Sequence, residues 1–472
     1  MEQDLSDQPD TGPKGNQRRA GLSRLVQFHE DPQIISVWLG LTGPILKWLT
    51  PSRRRTLLAI GAVWVALRSP LREIMKAHAW SSRLPHVIGS ILVVVVLFGF
   101  LWVCYRCALK FASLPSFVRR NPQLCLHAAF WILLIVLWNT STKAGIWRSV
   151  LVGFAFQFPF FLWRVGYLLL SGKRGKAAGT RFRDHLMYFW PVYGGTNTPY
   201  GKGLDYLSRH EAQDEAALAR AQLAGIRLLM LAALWRVSKE IMKGLVFGAD
   251  NSVQQALGGF TLGVPRLSQL LEHREMASIG LVWVSLYCEL FKDVLDLAVK
   301  GHVIIGTLRL FGFQVFRNTY KPLLAETVVE FWNRYYYYFK EIMVDFFFFP
   351  TFVSWFRKRP VLRLFTAVFM AAFVGNMYYH LIKERELVHA DFHALWLEWH
   401  SRLFYCLLLS LGIFISMLRE QRRAGQPRAR GIARRGPSIF GVWTFFAVIN
   451  IWNQKESFVP LTKFFLGLLG LT

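Results

Sequence analysis

The feature that most constrains this chain is a succession of apolar runs about as long as a bilayer is thick. Crossing ~30 Å of hydrocarbon takes roughly 20 apolar residues in a helix. The runs at 87–105, 126–138, 150–170, 279–297, 361–382 and 403–418 reach or approach that length. Further stretches at 34–49, 57–67, 226–247, 303–315 and 439–451 are shorter, broken by Gly or Pro, or studded with charge. Lipid offers the backbone no hydrogen bonds, so segments of this kind become helices. The expected fold is an all-α polytopic membrane protein with about 10–12 membrane segments, including re-entrant or interfacial helices around a central chamber. A content of 53% apolar residues, with 39 Phe and 18 Trp, excludes an ordinary soluble enzyme.

The net charge of +27 does not point to nucleic acid. Lys and Arg collect in short loops, at 53–55, 119–120, 173–183, 357–359 and 419–436, which is the pattern of the positive-inside bias and of attraction to anionic headgroups. These loops are assigned to the cytoplasm, and the acidic and His-containing loop at 384–400 to the opposite side. Residues 1–30 form a polar tail without an apolar core, predicting disorder and no cleaved signal peptide. Residues 31–472 read as a single multi-span membrane domain, placed in the plasma or inner membrane if the source is bacterial. The five cysteines lie in or beside apolar segments; Cys104 and Cys107 form one C-x-x-C, better suited to packing than to redox or metal chemistry.

Within the apolar background, the stretch at 331–350, FWNRYYYYFKEIMVDFFFFP, carries Arg334, Lys340, Glu341 and Asp345. Charges are costly at membrane depth, so such residues face a cavity, a partner or a substrate path. Residues 320–349 read as one long, partly polar helical stretch closed by Pro350. The preceding stretch at 182–203 is broken by Pro191, Gly194, Gly195 and Pro199, which reads as a re-entrant segment or an interfacial hairpin. The helix expected over 217–248 repeats Arg236, Lys239 and Lys243 on one face, as a helix lying partly along the interface does.

The order of three motifs resembles the membrane-bound O-acyltransferase family, most closely its bacterial alanyl- and polysaccharide-acylating branches. FWPVYGG at 189–195 is similar to the family's early aromatic–Pro stretch, FWNR at 331–334 followed by Asp345 to its central signature, and His380 in GNMYYH to its histidine. The match covers residues 180–385. Four positions depart from the family pattern: Tyr336 stands where His or Asn is usual, Tyr379 and Leu381 replace the Trp and Gly that flank the histidine, and Val344 replaces an Arg.

The resemblance implies transfer of an acyl group from a cytoplasmic thioester, acyl-CoA or an acyl-carrier protein, to a hydroxyl on a glycan, lipid or secreted polymer. No bound cofactor or metal is implied, and the acceptor is either free or presented by another protein. An imidazole titrating near neutrality suits a general base, and His380 takes that role. Asn333, Asn376 or the Tyr336 hydroxyl would position the acceptor or stabilise the oxyanion. Trp332, Arg334, Asp345 and Tyr379 are read as substrate-binding residues or as a structural polar network. Two alternatives are set beside this. The intramembrane charges could line a transport or channel path, although no inverted repeat is evident. His389, Asp391, His393, Glu398 and His400 could serve a metal-dependent hydrolase, although A-D-F between the first two histidines supplies no general base in the expected place.

Overall fold

The computed structural model describes residues 27–76, 80–140, 145–189, 202–273, 277–422 and 432–471. Among them the chain is helical throughout, with no strand beyond a single bridge between Glu211 and Phe313. The principal helices are α1 (Pro32–Trp48), α2 (Pro51–Lys76), α3 (Trp80–Leu109), α4 (Pro122–Asn139), α5 (Ile146–Lys173), α6 (Glu215–Ile241), α7 (Ile279–Leu310), α8 (Val328–Tyr335), α9 (Tyr337–Met343), α10 (Pro360–Phe369), α11 (Asn376–Leu381), α12 (Phe392–Arg422), α13 (Ile432–Ile449) and α14 (Phe458–Leu468).

Six helices among the described residues are long and apolar enough to cross a bilayer: Ile88–Leu109, Pro122–Asn139, Ile146–Lys173, Glu215–Val246, Pro360–Leu381 and Phe392–Arg422. The chain is an integral, all-α membrane protein. Helix α7 has the length but carries Glu289, Lys292, Asp293 and Asp296, held in ion pairs with Arg266, Lys239 and Lys300. Its partner is α6, against which it packs over most of its length. The close approach depends on two glycines: a Cβ at Gly225 would stand 2.8 Å from the Gly306 carbonyl oxygen. Small residues at a helix contact permit this in lipid, where packing rather than water exclusion drives association.

Two cores organise the rest. One gathers α3, α4 and α5 with Tyr338, Phe339, Ile342 and Met343; the other gathers α7, α12, α13 and α14 with Phe331. The charged aromatic stretch joins them and is not the single helix expected over 320–349. Tyr336, at φ −140° and ψ 67°, breaks it into α8 and α9. The cause is a neighbouring segment that supplies the hydrogen bonds a continuous helix would make itself. Tyr320 N–H donates to the Arg334 carbonyl, and the Thr319 hydroxyl donates to that of Tyr335. The Asn318 carbonyl and side-chain oxygen accept from the amides of Tyr337 and Tyr338. The break lets Phe331 stack on Phe446 at 3.9 Å in one core while Phe339 enters the other.

Pro350 does not close the stretch. It sits near the start of a short helix, Phe349–Ser354, that continues directly from the preceding helical turn. Between α9 and that helix lies a π-helical turn, Val344–Phe348, and a second one, Met370–Gly375, joins α10 to α11. The two turns pack on each other. Gly375 is required there, because a Cβ would come within 2.8 Å of the Phe347 ring and 3.0 Å of the Met343 sulfur.

Of the early motif, Phe189 is buried beside Phe98 and Phe161, at the end of the turn Leu186–Phe189; the rest of FWPVYGG, from Trp190 to Gly195, lies outside the described residues. The loop expected at 384–400 is largely helical, since Arg385–Val388 forms a short turn and α12 begins at Phe392.

Candidate functional site

The two facing π turns leave a cavity of about 250 Å³ between α8, α9, α10 and α12. A π turn carries one extra residue, and the facing pair touch at Gly375 while leaving this space beside the contact. The walls are largely apolar, with Phe339, Met343, Ala371, Ala372 and Ile413 among them, and the polar lining comes from Trp332, Asn333, Lys340 and Asn376. Trp332, Asn333 and Asn376, singled out from the sequence, thus share one cavity although 43 positions separate Asn333 from Asn376. Asn376 is 4% exposed, while Asn333 is exposed.

His380 lies one turn beyond Asn376 on α11, about 6 Å further along the helix axis. It does not line the cavity, and neither does Tyr336. Both meet the cavity wall from its other side: the Phe339 ring lies 6.2 Å from the imidazole and 5.2 Å from the Tyr336 ring. Phe339 thus lines the cavity and neighbours both rings. The His380 ring is half-buried, stands edge-on to Tyr379 at 5.4 Å, and makes no side-chain hydrogen bond among the described residues. Tyr379 in turn carries the Lys383 ammonium 3.7 Å above its ring.

The remaining charges of the stretch are engaged elsewhere. Arg334 pairs with Glu330 one turn earlier at 2.6 Å, a connection within α8. Asp345 accepts a hydrogen bond from the Tyr167 hydroxyl of α5, and Glu341 pairs with both Lys202 and Lys340. Arg334 and Asp345 do not touch each other. Each satisfies a partner on a neighbouring turn or helix, which is the arrangement by which charge is tolerated in an apolar setting.

Sequence reasoning passed over a second polar group close by. His127 on α4 is buried and bonded at both ring nitrogens, to the Gln123 side chain at 2.9 Å and to the Tyr378 hydroxyl at 2.8 Å. Trp131 Nε1–H donates to the same hydroxyl at 3.2 Å. The Gln123 amide nitrogen faces Nε2 and donates to it, so the proton sits on Nδ1, which donates to the Tyr378 hydroxyl. The signal was present in the sequence: a histidine inside the run at 126–138, with Gln123 one turn before it and Trp131 one turn after. Arg164, within α5, was likewise passed over; it is 1% exposed and donates to the Tyr188 carbonyl.

The histidines of the segment 389–400 disperse. His389 packs against the Phe156 ring, His393 is exposed, and His400 donates from Nδ1 to the Trp396 carbonyl while Nε2 accepts from the Phe458 amide. Asp391 caps the start of α12 through the Ala394 amide. Among the described residues no group of three His, Cys, Asp or Glu is arranged to hold a metal ion. All five cysteines are free thiols.

No protein-family model matches the chain, and no curated protein matches it. The class that fold and site define is that of a multi-helix integral membrane protein with a largely apolar cavity one helical turn from a histidine.

Proposed function

We propose that the protein is a membrane-bound O-acyltransferase that moves an acyl group from a cytoplasmic thioester to a hydroxyl of a glycan, lipid or secreted polymer. The observation that carries the reading is the convergence of Trp332 and Asn333 with Asn376 on one cavity, a single helical turn from His380. The imidazole takes the acceptor hydroxyl's proton as the oxygen attacks the thioester carbonyl. The carboxamide of Asn376 or Asn333 donates to the developing oxyanion. Collapse of the tetrahedral intermediate breaks the C–S bond, and the proton held by His380 passes to the departing thiolate. The ester and the free thiol are the two products.

The ring of His380 suits this role because no side chain among the described residues occupies either nitrogen. A transport path is less well supported, since Glu341, Lys202, Lys340 and Asp345 are taken up in contacts with one another or with Tyr167. The test is thiol release and ester formation in proteoliposomes given acyl-CoA and a panel of hydroxyl acceptors. Wild-type protein releases thiol with at least one acceptor, and His380→Ala does not. Full transfer by His380→Ala would falsify the general-base role.

A further inference from the structure

The cavity beside His380 is selective in both size and polarity. A dry cavity of ~150 Å³ takes up benzene, so 250 Å³ has room for on the order of ten carbons. It falls below the ~300–1,000 Å³ usual for drug-sized ligands and cofactors, which leaves a nucleotide or a polyprenyl chain outside. The lining offers hydrogen bonds only through Trp332, Asn333, Lys340 and Asn376, and the Lys340 ammonium is already taken by Glu341 and stands 4.7 Å above the Tyr337 ring. An amide-bearing thioester arm lying here would leave polar groups unmatched in an apolar setting, which is costly. A hydrocarbon chain needs no partner.

The position along α10 and α11 orients such a chain. Asn376, Ala372 and Val368 all line the cavity, spaced four residues apart along one helical path that spans about 12 Å. Asn376 is the end nearest His380. Ala371 and Ala372 are the smallest side chains in the wall, and they reach it because they belong to the π turn Met370–Gly375.

The geometry points to this cavity as the seat of one medium-length acyl chain, about eight to ten carbons, with its carbonyl at Asn376 and its tail running past Ala372 toward Val368. The inference rests on the acyltransferase reading and names the acyl class that reading left open. Ala371 and Ala372 then act as the residues that limit chain length.

Two measurements on purified protein in lipid nanodiscs separate this inference from the reading beneath it. The first compares transfer from acetyl-, decanoyl- and hexadecanoyl-CoA. Decanoyl transfer exceeds the other two by about ten-fold or more, as hydrophobic pockets discriminate by size. Ala372→Phe moves the optimum to a shorter chain, and Met417→Ala, which enlarges the opposite wall, moves it to a longer one. The second is photolabelling with decanoic acid carrying a terminal diazirine, read by peptide mapping and independent of turnover. Labelled peptides fall within 329–348 and 368–376, and Ala372→Phe suppresses them. Labelling without transfer from any donor keeps the cavity assignment and removes the acyltransferase. Transfer with a chain-length optimum that neither variant shifts, or labelling confined to other helices, overturns the cavity assignment and leaves the acyltransferase standing.

Discussion

His127 and His380, each in a membrane-spanning helix, are joined by a line of ring contacts and held in opposite ways. His127 touches Trp163 at 4.9 Å, Trp163 touches Tyr379 at 6.1 Å, and Tyr379 touches His380 at 5.4 Å. His127 is buried with both nitrogens bonded; His380 is half-buried with neither nitrogen bonded to a side chain among the described residues. A buried polar group that is satisfied holds helices together. One left open beside a cavity retains its capacity for a ligand or a proton. The same residue type, three ring contacts apart along the wall, is thus fully bonded in one place and open in the other.

The sharpest break of that comparison is a pair of alanine substitutions. His380→Ala lowers acyl transfer by two to four orders of magnitude, the range usual for general acid–base groups, and shifts the unfolding midpoint less than His127→Ala does. Steady-state rates and thermal unfolding of the same preparations check both halves. Asn376→Ala follows, with a loss of about a hundred-fold in kcat if its carboxamide faces the oxyanion; an unchanged kcat with a raised KM would reassign it to substrate binding.

His127→Ala comes next and acts on stability. It strands the Gln123 side chain and the Tyr378 hydroxyl, at a cost of about 1–3 kcal/mol. Because a carboxamide can take over bonds to both neighbours, His127→Gln lies closer to wild type than His127→Ala, by denaturant titration in mixed micelles. If His127→Gln is no more stable than His127→Ala, satisfied bonds are not what holds these helices.

The smallest effect sharpens the comparison from outside the membrane. His185, in the turn after α5, is 1% exposed and bonded at both nitrogens, to Thr180 at 2.9 Å and Tyr188 at 3.2 Å. Burial lowers its pKa to about 4, against the opposing pull of Asp184 and Asp205. The folded state therefore resists a proton that the unfolded chain accepts below about pH 6.5. Its contribution to stability is intact above that pH and declines as the pH falls toward 4. The unfolding midpoint of wild type drops between pH 7 and 5, and His185→Gln drops less over the same interval.

What the sequence disclosed follows from the range of the forces involved. Apolar runs specify helices locally, because the bilayer demands internal hydrogen bonding of every residue, and five of the six clearest runs coincide with spans. The sixth, at 279–297, became α7, whose charges find partners on α6 and in the segment before it. The helix at 217–248, expected to lie partly in the interface, is also long and apolar enough over Glu215–Val246 to cross the bilayer, and its Lys239 pairs with Asp296 of α7. That pairing is tertiary and leaves no local trace. The break at Tyr336 is hidden for the same reason, since it depends on Asn318 and Thr319 taking over backbone bonds. Trp332, Asn333 and Asn376 were legible as polar positions in apolar company. The place of Phe339 beside both the cavity and His380 was not, because one aromatic among many carries no mark of its neighbours.

The π turn at Met370–Gly375 has a bearing on insertion and deletion. Such a turn holds one residue more than the α-helix it interrupts, while the flanks keep the facing they would have without it. Removing a single residue there would close the bulge yet leave Asn376 and His380 pointing as before. Substitution changes what lines this cavity; deletion would decide whether there is a cavity at all. A relative that aligns with a one-residue gap between positions 370 and 375 would carry the same histidine beside a filled wall.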